Sequence, residues 1–234
     1  MNKHGRIERG ETRIIVPHLN GELTAVHPFL EGTYFHLARQ IDKAGLQRPT
    51  IAQTASLVHD AYSNPNEDPI HNEIKKIIKK DYFYAFNGLL YTPEGVYVQD
   101  NPEFSKEAES ADDLAMNEQN LQSRLSSNDP SIRFVPYGFK IEEQTYQELE
   151  KNPLVIALAG KEGAEKLAYI ASQHKSKPYL FALENVKKPI KRGAGLYSGW
   201  YVGRLGIDGV GRGSNASGCS FGVRSQKISS GNEG

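Results

Sequence analysis

The residues of this chain that could act as acids, bases, nucleophiles or metal ligands are spread thinly along it. Its seven histidines are scattered, with no spacing typical of a metal site. Three of them, His27, His36 and His59, lie in the N-terminal half and could serve a histidine-based enzyme, which is one hypothesis for this protein. The single cysteine, Cys219, excludes an intrachain disulfide and a multi-cysteine metal site. We expect no catalytic centre, no bound metal and no cofactor.

Three short motifs give weak signals. Residues 209–213 (GVGRG) are similar to a phosphate-binding loop, but no Gly-Lys-Ser/Thr follows and no helical pattern begins there. His27-Pro28-Phe29 is similar to the start of the Fic-type adenylyl transferase motif, whose Gly-Asn-Gly-Arg continuation is missing. Residues 215–217 (NAS) form a glycosylation sequon, a triplet that arises often by chance in such a loop.

Composition narrows the classes of partner. The chain has 234 residues, with 28 basic and 28 acidic side chains, so its net charge is zero and does not favour nucleic acid. The charged first residues do not resemble a secretory signal, and no apolar run is long enough to span a membrane. We expect a cytoplasmic protein by default, with surface display still open.

The local patterns predict helices in the first half of the chain and mixed structure in the second. An apolar stripe through Leu30, Tyr34, Leu37 and Ile41 predicts a helix that begins near His27. Further helices are predicted over residues 50–62, capped by Thr50, over 70–78, over 145–151, capped by Thr145, and over 162–174. Strands are predicted over residues 13–17, 132–140 and 178–183, a hairpin over 82–91 and 96–99, and a strand or a helix start over 154–159.

These patterns predict an α+β fold in two parts. Residues 1–128 form a helical part with the hairpin and a mobile loop at 101–128 that contains one short helix near residues 114–125. This part is either separate or integrated into the same domain. Residues 1–12 are expected to be loose. Residues 129–234 form a domain of short antiparallel strands with flanking helices, and this domain ends in residues 193–224.

Residues 193–224 (GAGLYSGWYVGRLGIDGVGRGSNASGCSFGVR) are the unusual part of the sequence. They hold close to half of the chain's 22 glycines, its only tryptophan and its only cysteine. No Lys, Glu, Gln or Met occurs from residue 193 to residue 220, although these types are common elsewhere. Alternation predicts that six apolar residues point inward as scaffold: Leu196, Trp200, Leu205, Ile207, Phe221 and Val223.

The residues between them are predicted to point outward. They include one carboxylate and no histidine, and their types are those of antibody-like binding surfaces rather than of a catalytic centre. The predicted ligand-binding positions are Tyr197, Gly199, Tyr201, Val202, Gly203, Gly206, Asp208, Val210, Arg212, Ser214, Asn215, Ser217 and Cys219.

This stretch resembles the variable proteins of diversity-generating retroelements, above all the archaeal type with a C-type lectin fold. The residues that carry the resemblance are the ending at 220–224 (SFGVR), Trp200, and the run at 204–209 (RLGIDG). The resemblance is specific at residues 193–224 and weak before residue 132. It implies a C-type lectin-like (formylglycine-generating-enzyme-like) fold. The formylglycine-generating oxidases themselves depend on a cysteine pair, which this chain lacks.

The resemblance also explains the restricted set of residue types. Such elements mutate adenines, mainly in Asn codons that end in a pyrimidine, and these codons cannot become Lys, Glu, Gln, Met or Trp. Trp200 is therefore expected to be a fixed scaffold residue, whereas Cys219 is either a product of diversification or a small buried thiol. Calcium-dependent lectin motifs (Glu-Pro-Asn and Trp-Asn-Asp) are absent, so the fold does not imply sugar binding.

The resemblance implies a ligand-binding protein that displays a hypervariable surface on a lectin scaffold. Its partner would be a protein or a cell-surface ligand of unknown identity, and we expect a monomer without nucleic acid. The alternatives are the histidine-based enzyme and a structural or oligomerisation protein that packs its glycine-rich face against a second copy.

Overall fold

The computed structural model describes residues 4–8, 13–66, 68–184, 186–198, 203–210 and 217–224. Within these ranges the helices are α1 (Tyr34–Lys43), α2 (Ile51–Ser63), α3 (Pro69–Lys80), a 3-10 helix (Ala111–Asp113), α4 (Glu118–Ser126), α5 (Tyr146–Lys151) and α6 (Pro153–Ser172). The strands are β1 (Arg6–Glu8), β2 (Arg13–His18), β3 (Gly21–Gly32), β4 (Tyr82–Tyr91), β5 (Gly95–Asp100), β6 (Ile132–Pro136), β7 (Glu142–Glu143), β8 (Tyr179–Leu180), β9 (Ile190–Tyr197), β10 (Gly206–Val210) and β11 (Gly218–Arg224).

One mixed sheet joins strands from both halves of the chain. Its order is β1-β2-β3-β11-β4-β9-β10-β8-β7, and β5 pairs with β4 and carries β6 on its other side. The C-terminal strand β11 lies between β3 and β4, which come from the first 128 residues. The helical first part is thus integrated into the same sheet. Two parallel pairs, β11 with β4 and β10 with β8, make the sheet mixed rather than purely antiparallel as predicted.

Both faces of the sheet are covered by packed side chains. On one face, which we call the main core face, apolar residues of α2, α3, α5 and α6 pack against the sheet. On the other face, α1 and the segment from residue 104 to residue 125 pack against β4 and β5. The predicted mobile loop is therefore partly a packed element, because Leu114 and Leu121 are buried in this second core. No helix in the described part of the chain is long and apolar enough to cross a membrane.

The predicted helix starts at Thr50 and Thr145 are confirmed by capping boxes. The Thr50 side chain accepts a hydrogen bond from the Gln53 N–H, and the Gln53 side chain accepts one from the Thr50 N–H. Thr145 and Glu148 make the same reciprocal pair at α5. Each box satisfies two backbone donors that a helix start leaves without partners.

Three local predictions are corrected by the structure, and the open alternative of a strand or a helix over residues 154–159 is decided. The helix expected from residue 27 begins only at Tyr34, because residues 21–32 form the long strand β3, which is hydrogen-bonded to β2 and β11. Residues 154–159 are helical, and Gly160 interrupts the helix with a φ of 70°. Residues 6–8, for which no element was predicted, pair with β2 as strand β1. Strands β6 and β8 are shorter than predicted.

Candidate ligand-binding face

The predicted scaffold residues of the glycine-rich stretch occupy the main core face. Strands β9 and β10 are antiparallel neighbours, and Leu196 lies opposite Ile207 in their register. Leu196, Leu205, Ile207, Phe221 and Val223 are at most 2% exposed, and all five belong to the main core. Their predicted scaffold role is confirmed by this burial. Trp200 lies outside the described residues.

The opposite face of the same strands carries a group of tyrosines. The rings of Tyr82 and Tyr84, both on β4, are stacked with centroids 5.6 Å apart and planes 4° from parallel. The ring of Tyr197 on β9 lies 5.0 Å from that of Tyr82. We call Tyr82, Tyr84, Tyr197 and the neighbouring Asp208 the tyrosine face. Tyr84 and Tyr197 are buried and Tyr82 is half-buried, so these rings form a packed layer with little conformational freedom.

Glycines make room for these rings. A Cβ atom at Gly206 would lie 2.6 Å from the ring of Tyr197, and one at Gly218 would lie 2.5 Å from the ring of Tyr84. Real Cβ contacts are not that short, so neither position accepts a side chain without moving a ring. The tyrosines therefore lie flat against the sheet because residues without side chains are beneath them.

Asp208 adds a carboxylate to the tyrosine face. The Tyr82 hydroxyl donates a hydrogen bond of 3.3 Å to Oδ2 of Asp208. Burial raises the pKa of Asp208 to about 6, although the Tyr82 hydroxyl, the Arg192 charge and the Gly209 N–H act in the opposite direction. A carboxyl group with this pKa changes charge in the near-neutral range, so the face is more negative at pH 7 than at pH 5.

The predicted binding positions fall into four groups. Gly203 and Ser217 are exposed and Asp208 is half-buried. Tyr197, Gly206 and Cys219 are buried, which corrects the exposure predicted for them as ligand-binding positions; for Cys219 the burial agrees with the alternative of a small buried thiol. Val210 ends β10, and its side chain is not described. The remaining predicted positions, Gly199, Tyr201, Val202, Arg212, Ser214 and Asn215, lie outside the described residues.

The burial of Cys219 and of Tyr197 has a simple physical cause in each case. Cys219 and Phe221 are two residues apart on β11, so both side chains belong to the main core face. Burial raises the pKa of the Cys219 thiol to about 11, so the thiol is neutral at pH 7. Tyr197 does lie on the opposite face from Leu196, as alternation predicts. It is nonetheless only 4% exposed, because that face is also covered.

Sequence reasoning missed Tyr82 and Tyr84 as members of this face. A signal for them exists: Tyr82, Tyr84 and Phe86 alternate along a predicted strand, which places their side chains on one face. Their relation to Tyr197 depends on the pairing of β4 with β9, which are separated by about a hundred residues of chain. Only the folded structure shows that pairing.

The three histidines of the enzyme hypothesis have three different environments. Nε2 of His27 lies 3.0 Å from a carboxylate oxygen of Glu73. His36 is hydrogen-bonded to Gln40, one turn further along α1. The ring of His59 packs against the ring of Tyr169, with centroids 4.8 Å apart. Among the described residues, no group of His, Cys, Asp and Glu side chains could hold a metal ion.

Comparison with solved structures identifies the fold. The chain is similar to a solved structure described as "Accommodation of massive sequence variation in Nanoarchaeota by the C-type lectin fold", with a TM-score of 0.53. The alignment covers 84% of this chain and 98% of that one, at 12% sequence identity. The chain has a C-type lectin fold. No family model and no curated protein matches the sequence.

Proposed function

We propose that this protein is a ligand-binding protein that displays a retroelement-diversified surface on its C-type lectin scaffold. The observation that carries the proposal is the restricted set of residue types at 193–220, which falls on strands β9, β10 and β11 and on the segments that join them. The archaeal relationship, the retroelement and the formylglycine-generating-enzyme-like subtype of the fold are parts of this proposal. The ligand would be a protein or a cell-surface molecule.

The division of the stretch into two sets of residues supports the proposal. Leu196, Ile207 and Phe221 are fully or almost fully buried and pack in the main core. Gly203 and Ser217, which adjoin the segments 199–202 and 211–216, are exposed. A scaffold of this kind tolerates changes at exposed positions because its stability depends on the buried set.

The burial of three predicted binding positions reduces the number of residues that we propose contact the ligand. Tyr197, Gly206 and Cys219 are packed, so we assign them to the support of the face rather than to direct contact with a ligand. The proposed contact positions are Gly199, Tyr201, Val202, Gly203, Asp208, Val210, Arg212, Ser214, Asn215 and Ser217.

The tyrosine face supports a binding surface rather than a catalytic centre: its rings Tyr84 and Tyr197 are buried, and Asp208 is half-buried beside them. It combines aromatic rings with one carboxylate, whereas a catalytic centre brings an acid, a base or a nucleophile together with a group that orients it. Affinity would come from preorganisation, because the sheet fixes the main chain before the ligand arrives. We therefore propose that the protein is not an enzyme.

Sequencing tests the proposal. We expect a reverse transcriptase gene near the coding region, together with a near-copy of the 193–224 segment in which adenines occupy the codons of the contact positions. Among individuals of a population, substitutions should concentrate at those codons and spare Leu196, Trp200 and Phe221. A locus without the template repeat, or substitutions spread evenly over the chain, would overturn the retroelement part.

A further inference from the structure

A cleft lies away from the tyrosine face. Its volume is about 800 Å³, and it opens between the end of β5 and the segment from residue 101 to residue 124, with Lys191 of β9 on one side. Lys191 and Tyr197 are six residues apart on one strand, a distance of roughly 20 Å at about 3.3 Å per residue. None of the predicted variable positions lines this cleft.

Most charged groups of this cleft already have partners. Asp100 accepts two hydrogen bonds of 2.6 Å from the Arg133 guanidinium and one from the Asn87 amide. Arg124 donates to Asp129 and Ser131. Lys191 donates to two backbone carbonyls, those of Asp112 and Leu114, so one of its three ammonium protons remains for another acceptor.

Two amide oxygens in the lining do not have partners. Gln99 is only 6% exposed, and its Oε1 accepts no hydrogen bond from the described residues. Oδ1 of Asn101, two residues further on, is also buried and accepts none from that part of the chain. Glu103 adds an exposed carboxylate to the same lining. Buried acceptors without donors are costly, and folded proteins normally satisfy them.

The two buried amide oxygens, Gln99 Oε1 and Asn101 Oδ1, are acceptors, and Glu103 in the same lining is negatively charged. They call for a positively charged group with several N–H donors. The Lys191 ammonium on another side of the cleft can pair with an anionic group of the ligand. A metal ion is a poorer fit, because Arg124 and Lys191 both line the cleft and repel it.

We propose that this cleft binds a small zwitterion of the α-amino acid class. Its ammonium group donates hydrogen bonds to Gln99 and Asn101 and pairs with Glu103. Its carboxylate accepts a hydrogen bond from Lys191. These residues lie outside the stretch 193–224 that the proposed function makes variable. On that proposal, every variant of the protein keeps the same residues in the cleft and binds the same small ligand there.

Thermal shift with a mixture of the common L-amino acids, followed by calorimetry on single members, tests this proposal. We expect saturable binding of one molecule per chain by at least one member. The N-acetylated form of that member should not bind, because it lacks the ammonium. The methyl ester should bind at least tenfold more weakly, because it lacks the carboxylate. If no member of the mixture binds, the proposal is overturned.

Variants locate the site. Gln99→Leu removes the buried acceptor at similar size, and Glu103→Gln removes the charge at an exposed position that does not endanger folding. Each should weaken binding at least tenfold. Glu107→Gln, which makes the same charge change at an exposed position outside the cleft lining, should bind as the unmodified protein does. Unchanged affinity in Glu103→Gln and Gln99→Leu would overturn the proposal.

Discussion

Gly206 of β10 lies directly opposite Tyr197 of β9, and a methyl group on its Cα would lie 2.6 Å from the tyrosine ring. The glycine and the tyrosine therefore form one packing unit. This pair explains why a glycine-rich stretch can support flat aromatic rings. The glycines are needed for the space they leave, and the conformational freedom they add is secondary here.

Replacement of Gly206 by alanine is therefore expected to destabilise the protein by about 1–3 kcal/mol, the usual range for overpacking. Gly195→Ala is the matched control. Gly195 is also a strand glycine, but its Cβ would make an ordinary 3.5 Å contact with Tyr84. Chemical denaturation of both variants measures the difference. Equal destabilisation by the two changes would show that ring contact is not the cause.

The same pair can be tested with a double-mutant cycle. In a Tyr197→Ala background, the ring that Gly206→Ala would strike is gone. We therefore expect the second substitution to cost little or nothing there, with a coupling energy of about 1–3 kcal/mol. Additive effects of the two substitutions would contradict the proposed packing unit.

Asp208 gives the protein a predictable dependence on pH. The pKa of Asp208 is raised from 3.8 to about 6, so the folded state holds the proton more tightly than the unfolded state. The free energy of unfolding should therefore fall as pH rises from about 4 to about 6. Asp208→Asn removes this loss, and we expect it to stabilise the protein at pH 7 by about 1–2 kcal/mol. The full two-unit shift would give about 3 kcal/mol, but Asp208 is only partly buried.

Denaturant titrations across that pH range measure the effect. The stability difference between Asp208→Asn and the unmodified protein should vanish below pH 4 and reach its maximum above pH 6. Tyr82→Phe, which removes the hydroxyl donor, should move the pKa of Asp208 further up. If Asp208→Asn were less stable at every pH, the carboxylate would instead be making contacts that hold the fold.

A second pH effect is expected where the N-terminal strand meets the helices. Nε2 of His71 lies 3.4 Å from Oδ2 of Asp60, with both side chains about 95% buried, and Asp60 also accepts a hydrogen bond from the Gly5 N–H. Contact with the Asp60 carboxylate raises the pKa of His71 above 6.5, against the effect of burial. Burial alone would raise the pKa of Asp60, but its contact with His71 and its hydrogen bonds with Gly5 and Asn64 lower it below 3.8.

The directions of the two pKa shifts determine the pH range over which the His71–Asp60 pair stabilises the fold. The contribution of His71 is complete below pH 6.5 and is lost as pH rises through its folded-state pKa. That of Asp60 is complete above pH 3.8 and is lost as pH falls through its own. The destabilisation caused by His71→Gln should therefore be largest between about pH 4 and 6.5 and decline on both sides. It should reach about 3–5 kcal/mol there, the usual cost of removing one partner of a buried pair. A difference that does not vary with pH would contradict the ion pair.

Local patterns were enough to predict the helices and the hairpin. Thr50 with Gln53, and Thr145 with Glu148, are short-range capping signals whose energy depends on neighbouring residues alone. The pairing of β4 with β5 needs only a short turn. The helix prediction at His27 was wrong at its start, because the stripe ending at Ile41 extends by chance into a strand. That strand is held by partners distant in sequence, β2 and β11.

The site was harder to predict than the scaffold. Burial of Leu196, Ile207 and Phe221 follows from hydrophobicity and alternation. The burial of Tyr197 and Cys219 does not, because it depends on what covers each face of the sheet. The burial of Cys219 could have been predicted from the sequence, because a residue two positions from Phe221 on one strand lies on the same face of the sheet. For Tyr197 the covering partner, Tyr82, comes from a strand about a hundred residues earlier.

The division between scaffold and display predicts opposite outcomes for two substitutions. Leu196→Ala removes side-chain atoms from a fully buried site and should cost about 2–5 kcal/mol. Replacement of Tyr201 and Arg212 together, at two proposed contact positions, should change the melting temperature very little. Comparable destabilisation by both would contradict the division.

The most direct test of the central claim compares two libraries in one protease-resistance assay. The first randomises seven of the ten proposed contact positions (199, 201, 202, 212, 214, 215 and 217) with codons that end in a pyrimidine. The second applies the same codons to the buried positions 196, 205, 207, 219, 221 and 223. We predict that most members of the first library stay folded, that few of the second do, and that binders to chosen proteins can be selected from the first. Equal loss of folded members from the two libraries would contradict a fixed scaffold with a tolerant, diversified face.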